Sequence, residues 1–402
     1  MNLLKTCKIL WRLMLFSSAS PLNAGMASQC LHEVAPTQDK IDFWNTTKRG
    51  ANIFNTHVSS EDIRAAKIYG IQFIRLSLDK FPSKKRDFLM GNADRYHALD
   101  PDDLAHLKAM LDRFTQENMP IVITVLGLPG SRWEQLNGDQ DDLRIWSDEE
   151  FQRQATCFWR DLAKELRTYS IVIGYNILNE PHPERLFNTK SCHIDRVNQT
   201  EVQRLLFDFN SRIIRGIREV DPHTPIVIDS SSYADPNTFK QLQPLEDARI
   251  IYSFHMYEPY RYTSHKHYQE PYRYPGNIAG KYWDKTALRE YMQAINDFQT
   301  QHKIPPNRIF VGEFGCYRLR EGLPGYFSDL IAIFEENKWH WAFYAFRDNW
   351  DGMDYELGDK KLPWEYQQAY EKGENFSWER QATCPQFAVL KEALDRPSAP
   401  GN

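Results

Sequence analysis

The sequence predicts a single-domain α/β protein, a closed (β/α)8 TIM barrel. Eight short apolar segments alternate with amphipathic helical patterns, the signature of a parallel sheet, and eight units are enough to close it. No repeat recurs along the 402 residues, and no Gly/Ser-rich linker divides them. The polar residues that interrupt the apolar segments fall at or near their C-terminal ends, the working face of such a barrel.

The first strand is expected at Arg49 to Phe54, with Asn52 near its end. Ser59-Ser60-Glu61-Asp62 opens a helix that runs to Gly70, because a hydroxyl cap and an acidic first turn satisfy its exposed N–H groups. Ile71 to Leu78 forms the second strand. Arg75 in its middle is costly unless a carboxylate pairs with it. Asp100-Pro101 starts a helix to about residue 118, with Leu104, Leu107, Met110, Leu111 and Phe114 at helical spacing. Pro120 to Val125 is the third strand, closed by a Gly127-Leu128-Pro129-Gly130 loop. A helix at 148–168 leads to the fourth strand, beginning at Ile171. Further on come a helix at 200–220, a strand at Pro225 to Asp229 and a strand at Ile250 to Met256. A long aromatic loop follows (Tyr257, Tyr260, Tyr262, Tyr268, Tyr272, Tyr274), and loops of such length in compact domains usually carry function. Asp284 caps the next helix, Ile309 to Cys316 is the seventh strand, Phe327 to Asn337 a helix, Trp341 to Phe346 the eighth strand, and Phe387 to Leu394 the closing helix.

Composition narrows the partners. With 49 basic against 54 acidic residues the net charge is −5, and no basic cluster is long enough to track a phosphate backbone, so nucleic acid is excluded. Lys5, Lys8 and Arg12 precede Leu13-Met14-Leu15-Phe16 and a small-residue tract ending at Ala27, the order of a secretory signal peptide. Residues 1–27 are therefore expected to be a leader and 28–402 the mature domain, secreted or periplasmic, monomeric and not membrane-bound. Five cysteines would remain (Cys30, Cys157, Cys192, Cys316, Cys384), so at least one thiol stays free. No cysteine–histidine spacing suits zinc, and His265-Lys266-His267 sits in a polar loop, so neither metal nor cofactor is expected.

Two segments share one design. In Ile171 to His182 an apolar run ends in Asn179-Glu180-Pro181; Pro181 cannot continue a ladder, which places Glu180 at the strand's tip. In Ile309 to Cys316 an apolar run ends in Glu313, flanked by Gly312 and Gly315, where backbone passes close to a ligand or turns sharply. Glu258-Pro259 and Glu270-Pro271 show that the dipeptide alone means little. Two carboxylates on two strand tips are the minimum equipment of glycoside hydrolysis.

Taken together, Asn179-Glu180-Pro181 on the fourth strand, His255-Met256-Tyr257 on the sixth, Glu313-Phe314-Gly315 on the seventh and Arg75 on the second resemble the retaining glycosidases of glycoside hydrolase family 5, the cellulase-type barrels, over Arg49 to Phe346. The resemblance implies Glu180 as acid/base, Glu313 as nucleophile, Asn179 on the sugar 2-hydroxyl, Arg75 and Tyr257 on the nucleophile, and His255 beside the bond being cut. Strand tips facing each other across a barrel can hold two carboxylates about 5 Å apart, the retaining separation. The sequence departs from the family where a histidine usually ends the third strand, here Leu126, and where a tryptophan usually stacks on the cleaved sugar, here Tyr344 with Phe346 and Trp350 as neighbouring candidates. The expected substrate is a β-glycan, foremost a β-1,4-glucan. A β-mannanase, or another β-glucan hydrolase, on the same barrel and a catalytically silent carbohydrate-binding barrel are the alternatives. A phosphate-binding barrel is disfavoured because no glycine-rich loop precedes a helix after the last two strands.

Overall fold

The structure is a computed structural model that describes residues 39–54, 57–187, 199–267, 269–347, 351–360 and 380–397. The expected leader, Tyr268, Trp350, Cys30 and Cys192 lie outside the described residues. In chain order the strands are β1 (Arg49–Ile53), β2 (Phe73–Ser77), β3 (Ile121–Thr124), β4 (Val172–Asn176), β5 (Ile226–Asp229), β6 (Ile250–Met256), β7 (Gly276–Ile278), β8 (Lys281–Trp283), β9 (Ile309–Phe314) and β10 (His340–Phe343). Eight of them close a parallel barrel in the order β1-β10-β9-β6-β5-β4-β3-β2, while β7 and β8 form a separate antiparallel hairpin. The hairpin falls within the stretch read as one aromatic loop. Two of that loop's rings are core: Tyr262 and Tyr274 are buried and pack on each other and on Tyr326 of a later helix, and the Tyr274 hydroxyl donates to Asp329, while Tyr260 is exposed.

The helix starts follow the capping chemistry read from the sequence. Ser59 and Asp62 form a reciprocal capping box at Ser60–Ile68, Asp100 caps Pro101–Gln116, and Asp284 caps Lys285–Tyr291. Helices Glu149–Leu166 and Gln199–Arg218 lay continuous apolar faces on the barrel.

The barrel interior is layered, as period-two alternation requires. The lowest layer is apolar: Phe73, Val122, Ile173, Val227, Ile251, Phe310 and Ala342, with Trp44 inserted from the segment Lys40–Asn45 below β1. Trp44 Nε1 donates to the Ile173 carbonyl at 2.9 Å, which leaves no buried donor unmet at this plug. One step up, the inward positions become polar: Asn52, Arg75, Thr124, Asn176, Asp229 and Ser253, all buried.

Two strands break the alternation. On β4 the register against β3 slips between Ile121 paired with Val172 and Val122 paired with Gly174. On β9 the register against β6 slips between Phe254 paired with Val311 and His255 paired with Glu313. Each slip is a β-bulge that contains a glycine and turns two consecutive positions inward. Without the second one, alternation from inward Phe310 would send Glu313 outward into the helical layer. The bulge delivers it to the barrel mouth.

Candidate active site

Arg75 organises the floor of the mouth. It is 0% exposed, and its guanidinium is saturated: Nε and Nη2 donate to Asn176 Oδ1 (3.0 and 2.6 Å), Nη1 to Asn52 Oδ1 (2.9 Å) and Glu313 Oε1 (2.6 Å), and Nη2 to Asn179 Oδ1 (2.7 Å). A buried cation is tolerable only when its donors are met and a carboxylate balances it, and here both conditions hold. The sequence flagged Arg75 for that reason. Asn52 was noted only as a polar residue near the end of the first strand, and Asn176 and Asp229 were not flagged, although Asp229 also sits at a strand end, where the working face was expected.

Glu313 is held from both sides. Arg75 donates to Oε1, and the Tyr257 hydroxyl donates to Oε2 at 2.8 Å. Burial, together with the negative charge of Glu313, holds the Tyr257 phenol well above its usual range, so it remains a donor. Gly312 is required by a side chain from the neighbouring strand: a Cβ there would lie 2.6 Å from Ser253 Oγ and 3.0 Å from His255 Nε2. A Cβ at Gly315 would meet the Tyr344 carbonyl at 2.7 Å. Both glycines make room for protein neighbours, where the sequence suggested close approach of a ligand or a sharp turn.

Glu180 does not stand at the tip of β4. The strand ends at Asn176, and Glu180 lies four residues further on, in a loop whose backbone takes φ of 50° at that position. Proline at 181 was read as the strand's stop, but β4 ends earlier, where the side chain of Asn176 turns in to meet Arg75. Glu180 Oε1 lies 2.8 Å from His255 Nδ1, and donor oxygens of Glu180 and Glu313 lie within 4.8 Å of each other, with a His255 nitrogen in the same group. Burial raises the proton affinity of Glu180; the His255 hydrogen bond opposes this, and the charges of Glu313 and Asp229 reinforce it. The carboxyl therefore keeps its proton to higher pH than an exposed glutamate. Burial would lower the proton affinity of His255, but the surrounding charges of Glu313, Asp229 and Glu180 outweigh it and raise the net value.

The remaining sequence candidates divide. Asn179 is buried against Arg75, with its N–H donated to the Val125 carbonyl at 2.8 Å. Tyr344 is half-buried at the end of β10, edge-on to Phe54 and near enough to Tyr257 to affect its ionisation. Phe346 is 1% exposed and packs edge-on to Tyr69 beneath the Arg347 guanidinium, which makes it a core residue and not a sugar contact. Its place one position beyond Tyr344's neighbour on the eighth strand suggested a stacking ring; the strand ends at Phe343, and the chain then turns it inward. Leu126 is buried, its N–H given to Asp79 at 2.6 Å, so the family's usual histidine has no substitute at this position.

The profile of the family described as Cellulase (glycosyl hydrolase family 5) matches residues 37–350. Endoglucanase C of Acetivibrio thermocellus is 23% identical over 333 residues, 76% of this chain and 87% of that protein. A β-xylosidase of Phanerodontia chrysosporium is 20% identical over 266 residues, 62% of this chain and 49% of that protein. Among solved structures, Thermotoga maritima Cel5A in complex with cellobiose superposes with a TM-score of 0.61 at 17% identity, covering 89% of this chain and 100% of that one. The same enzyme in complex with mannotriose gives a TM-score of 0.60 with equal identity and coverage. The chain belongs to glycosyl hydrolase family 5, the cellulase family, and is a glycoside hydrolase that cleaves β-glycosidic bonds with retention of configuration.

Proposed function

We propose that the substrate is a β-1,4-glucan and that cleavage proceeds by double displacement, with Glu313 as nucleophile and Glu180 as acid/base. The observation that carries this reading is the pair of carboxylates with oxygens within 4.8 Å, one gripped by Arg75 and Tyr257 and the other set against His255. That spacing suits direct attack, since an inverting pair stands several ångströms further apart to admit a water. Glu313 forms an ester to the anomeric carbon while Glu180 gives its proton to the departing glycosidic oxygen. Esterification removes the charge of Glu313 and so lowers the proton affinity of Glu180, which then takes a proton from the attacking water. Asn179, whose carbonyl oxygen is taken by Arg75, would offer its NH2 to the sugar 2-hydroxyl. Tyr344 would border the cleaved sugar where the family usually stacks a tryptophan. Export belongs to the same reading and is supported by the basic-then-apolar order of residues 5–27; among the described residues no helix is long and apolar enough to cross a membrane.

The test is product release and anomeric configuration on β-1,4-glucan, mixed-linkage glucan, mannan and xylan, with Glu313→Gln and Glu180→Gln alongside the wild type. The expected result is hydrolysis with retention, preference for β-1,4-glucan, and a loss on the order of 10⁴-fold in each variant. Activity surviving in Glu313→Gln would remove it as nucleophile. A preference for mannan, as the mannotriose complex of the similar barrel would suggest, would replace the substrate but leave the residues' roles intact.

A further inference from the structure

The segment Asp229 to Ala234 grips the loop that carries Glu180. Asp229 is the last residue of β5, 2% exposed, and its Oδ2 accepts the Glu180 backbone N–H at 3.2 Å. The same oxygen lies 3.5 Å from His255 Nε2 and 3.6 Å from Arg75 Nη2, and Oδ1 accepts from Asn176 Nδ2 at 3.3 Å. One carboxylate thus touches the backbone of Glu180, faces the far side of the imidazole that meets the Glu180 side chain, and lies against the arginine that holds Glu313. Four residues later the contact resumes. The Tyr233 N–H donates to the Pro181 carbonyl at 3.4 Å, and the Tyr233 ring stacks on His182 at 4.8 Å with planes 12° apart. Arg185 donates to the Tyr233 hydroxyl at 3.0 Å, and His182 Nδ1 lies 2.9 Å from the Glu180 carbonyl oxygen.

Both segments adopt backbone that side chains rarely accept. Glu180 has φ of 50°, and Ser232, Tyr233 and Ala234 have φ of 53°, 61° and 60° in succession. Left-handed runs of this kind persist only where surrounding contacts over-determine them, and they collect at functional sites. Here each segment supplies the contacts that hold the other.

We infer that Asp229 is a positioning residue for Glu180, fixing the loop so that the carboxyl faces the departing oxygen as the glycosidic bond breaks. This inference rests on the acid/base reading of Glu180. Its mark is leaving-group dependence. Phenolate from a phenyl glycoside needs the proton of Glu180, whereas 2,4-dinitrophenolate departs without one.

The experiment compares kcat/KM for 2,4-dinitrophenyl and phenyl β-cellobioside in the wild type, Asp229→Ala, Asp229→Asn and Glu180→Gln. Asp229→Ala is expected to lose about 10²-fold more on the phenyl than on the dinitrophenyl substrate, the size of a general-acid contribution. Asp229→Asn keeps an oxygen for the Glu180 N–H and should recover much of that difference. The dinitrophenyl rate shows in the same tubes that the variants are folded. Equal losses on both substrates in Asp229→Ala, beside a clear leaving-group dependence in Glu180→Gln, would overturn the inference and spare the Glu180 assignment. No such dependence in Glu180→Gln would overturn that assignment, and the inference with it.

Discussion

Arg75 shows how one residue can be legible before the structure and still be understood only after it. A cation inside an apolar strand must have a partner, and that much is sequence logic. What the fold adds is the number of partners: three asparagine oxygens and a carboxylate surround a planar group with five donors in fixed directions. A lysine could satisfy only part of this set from a single point. Arg75→Lys is expected to lower kcat/KM by about 10²-fold, the size of one charged hydrogen bond lost from the support of Glu313. It should also cost on the order of 3 kcal/mol in urea unfolding, because buried oxygens lose their donors. Unchanged activity would mean that Arg75 serves the core alone. Phe346 teaches the converse. An aromatic near the end of the last strand reads as a stacking platform, but its ring turns inward to Tyr69, a choice made by packing that no local pattern records.

Element boundaries were legible wherever capping or proline chemistry fixes them, as at Ser59, Asp100 and Asp284. The bulges on β4 and β9 were not. Hydrophobic alternation reports which face a residue takes only while the register is unbroken, and an inserted residue reverses every assignment beyond it. Gly174 and Gly312 were the only local signals, and glycine in a strand has several meanings. Gly312→Ala should push against Ser253 and His255, whose atoms stand 2.6 and 3.0 Å from the new methyl. The expected cost is about 2 kcal/mol of overpacking, read by urea denaturation, with a fall in kcat/KM because the displaced imidazole is the partner of Glu180. A loss of stability without a loss of activity would show that His255 can move without consequence for Glu180.

The barrel separates its two ends by chemistry. The mouth gathers the polar network around Arg75, while the base is sealed by Trp44 and His340, whose rings meet edge to face. His340 is wholly buried, accepts the Lys48 N–H at Nδ1 (3.0 Å) and meets the Asn307 carbonyl at Nε2 (3.2 Å), a pattern that needs the neutral ring. Burial lowers its pKa to about 3. The unfolded chain takes up this proton near pH 6.5, whereas the folded chain does not until about pH 3, so in that window the unfolded state binds more protons and stability falls as pH falls. The slope from this residue is about 1.4 kcal/mol per pH unit. His340→Gln should unfold along a shallower acid slope than the wild type in urea titrations between pH 6 and 3.5. Parallel slopes would mean that His340 does not titrate in this way.

The sequence by itself determined the eight-unit alternation, the order of the strands, most helix starts and the pair of glutamates, because these depend on apolar periodicity, capping and composition, which are local properties. The tertiary structure alone decided that Glu313 points inward, that Glu180 sits beyond its strand on left-handed backbone, and that Asn52, Asn176 and Asp229 join Arg75 beneath them. The physical reason is that a side chain's direction depends on register and its ionisation on neighbours, and both are set by residues tens to hundreds of positions away that meet only when the barrel closes.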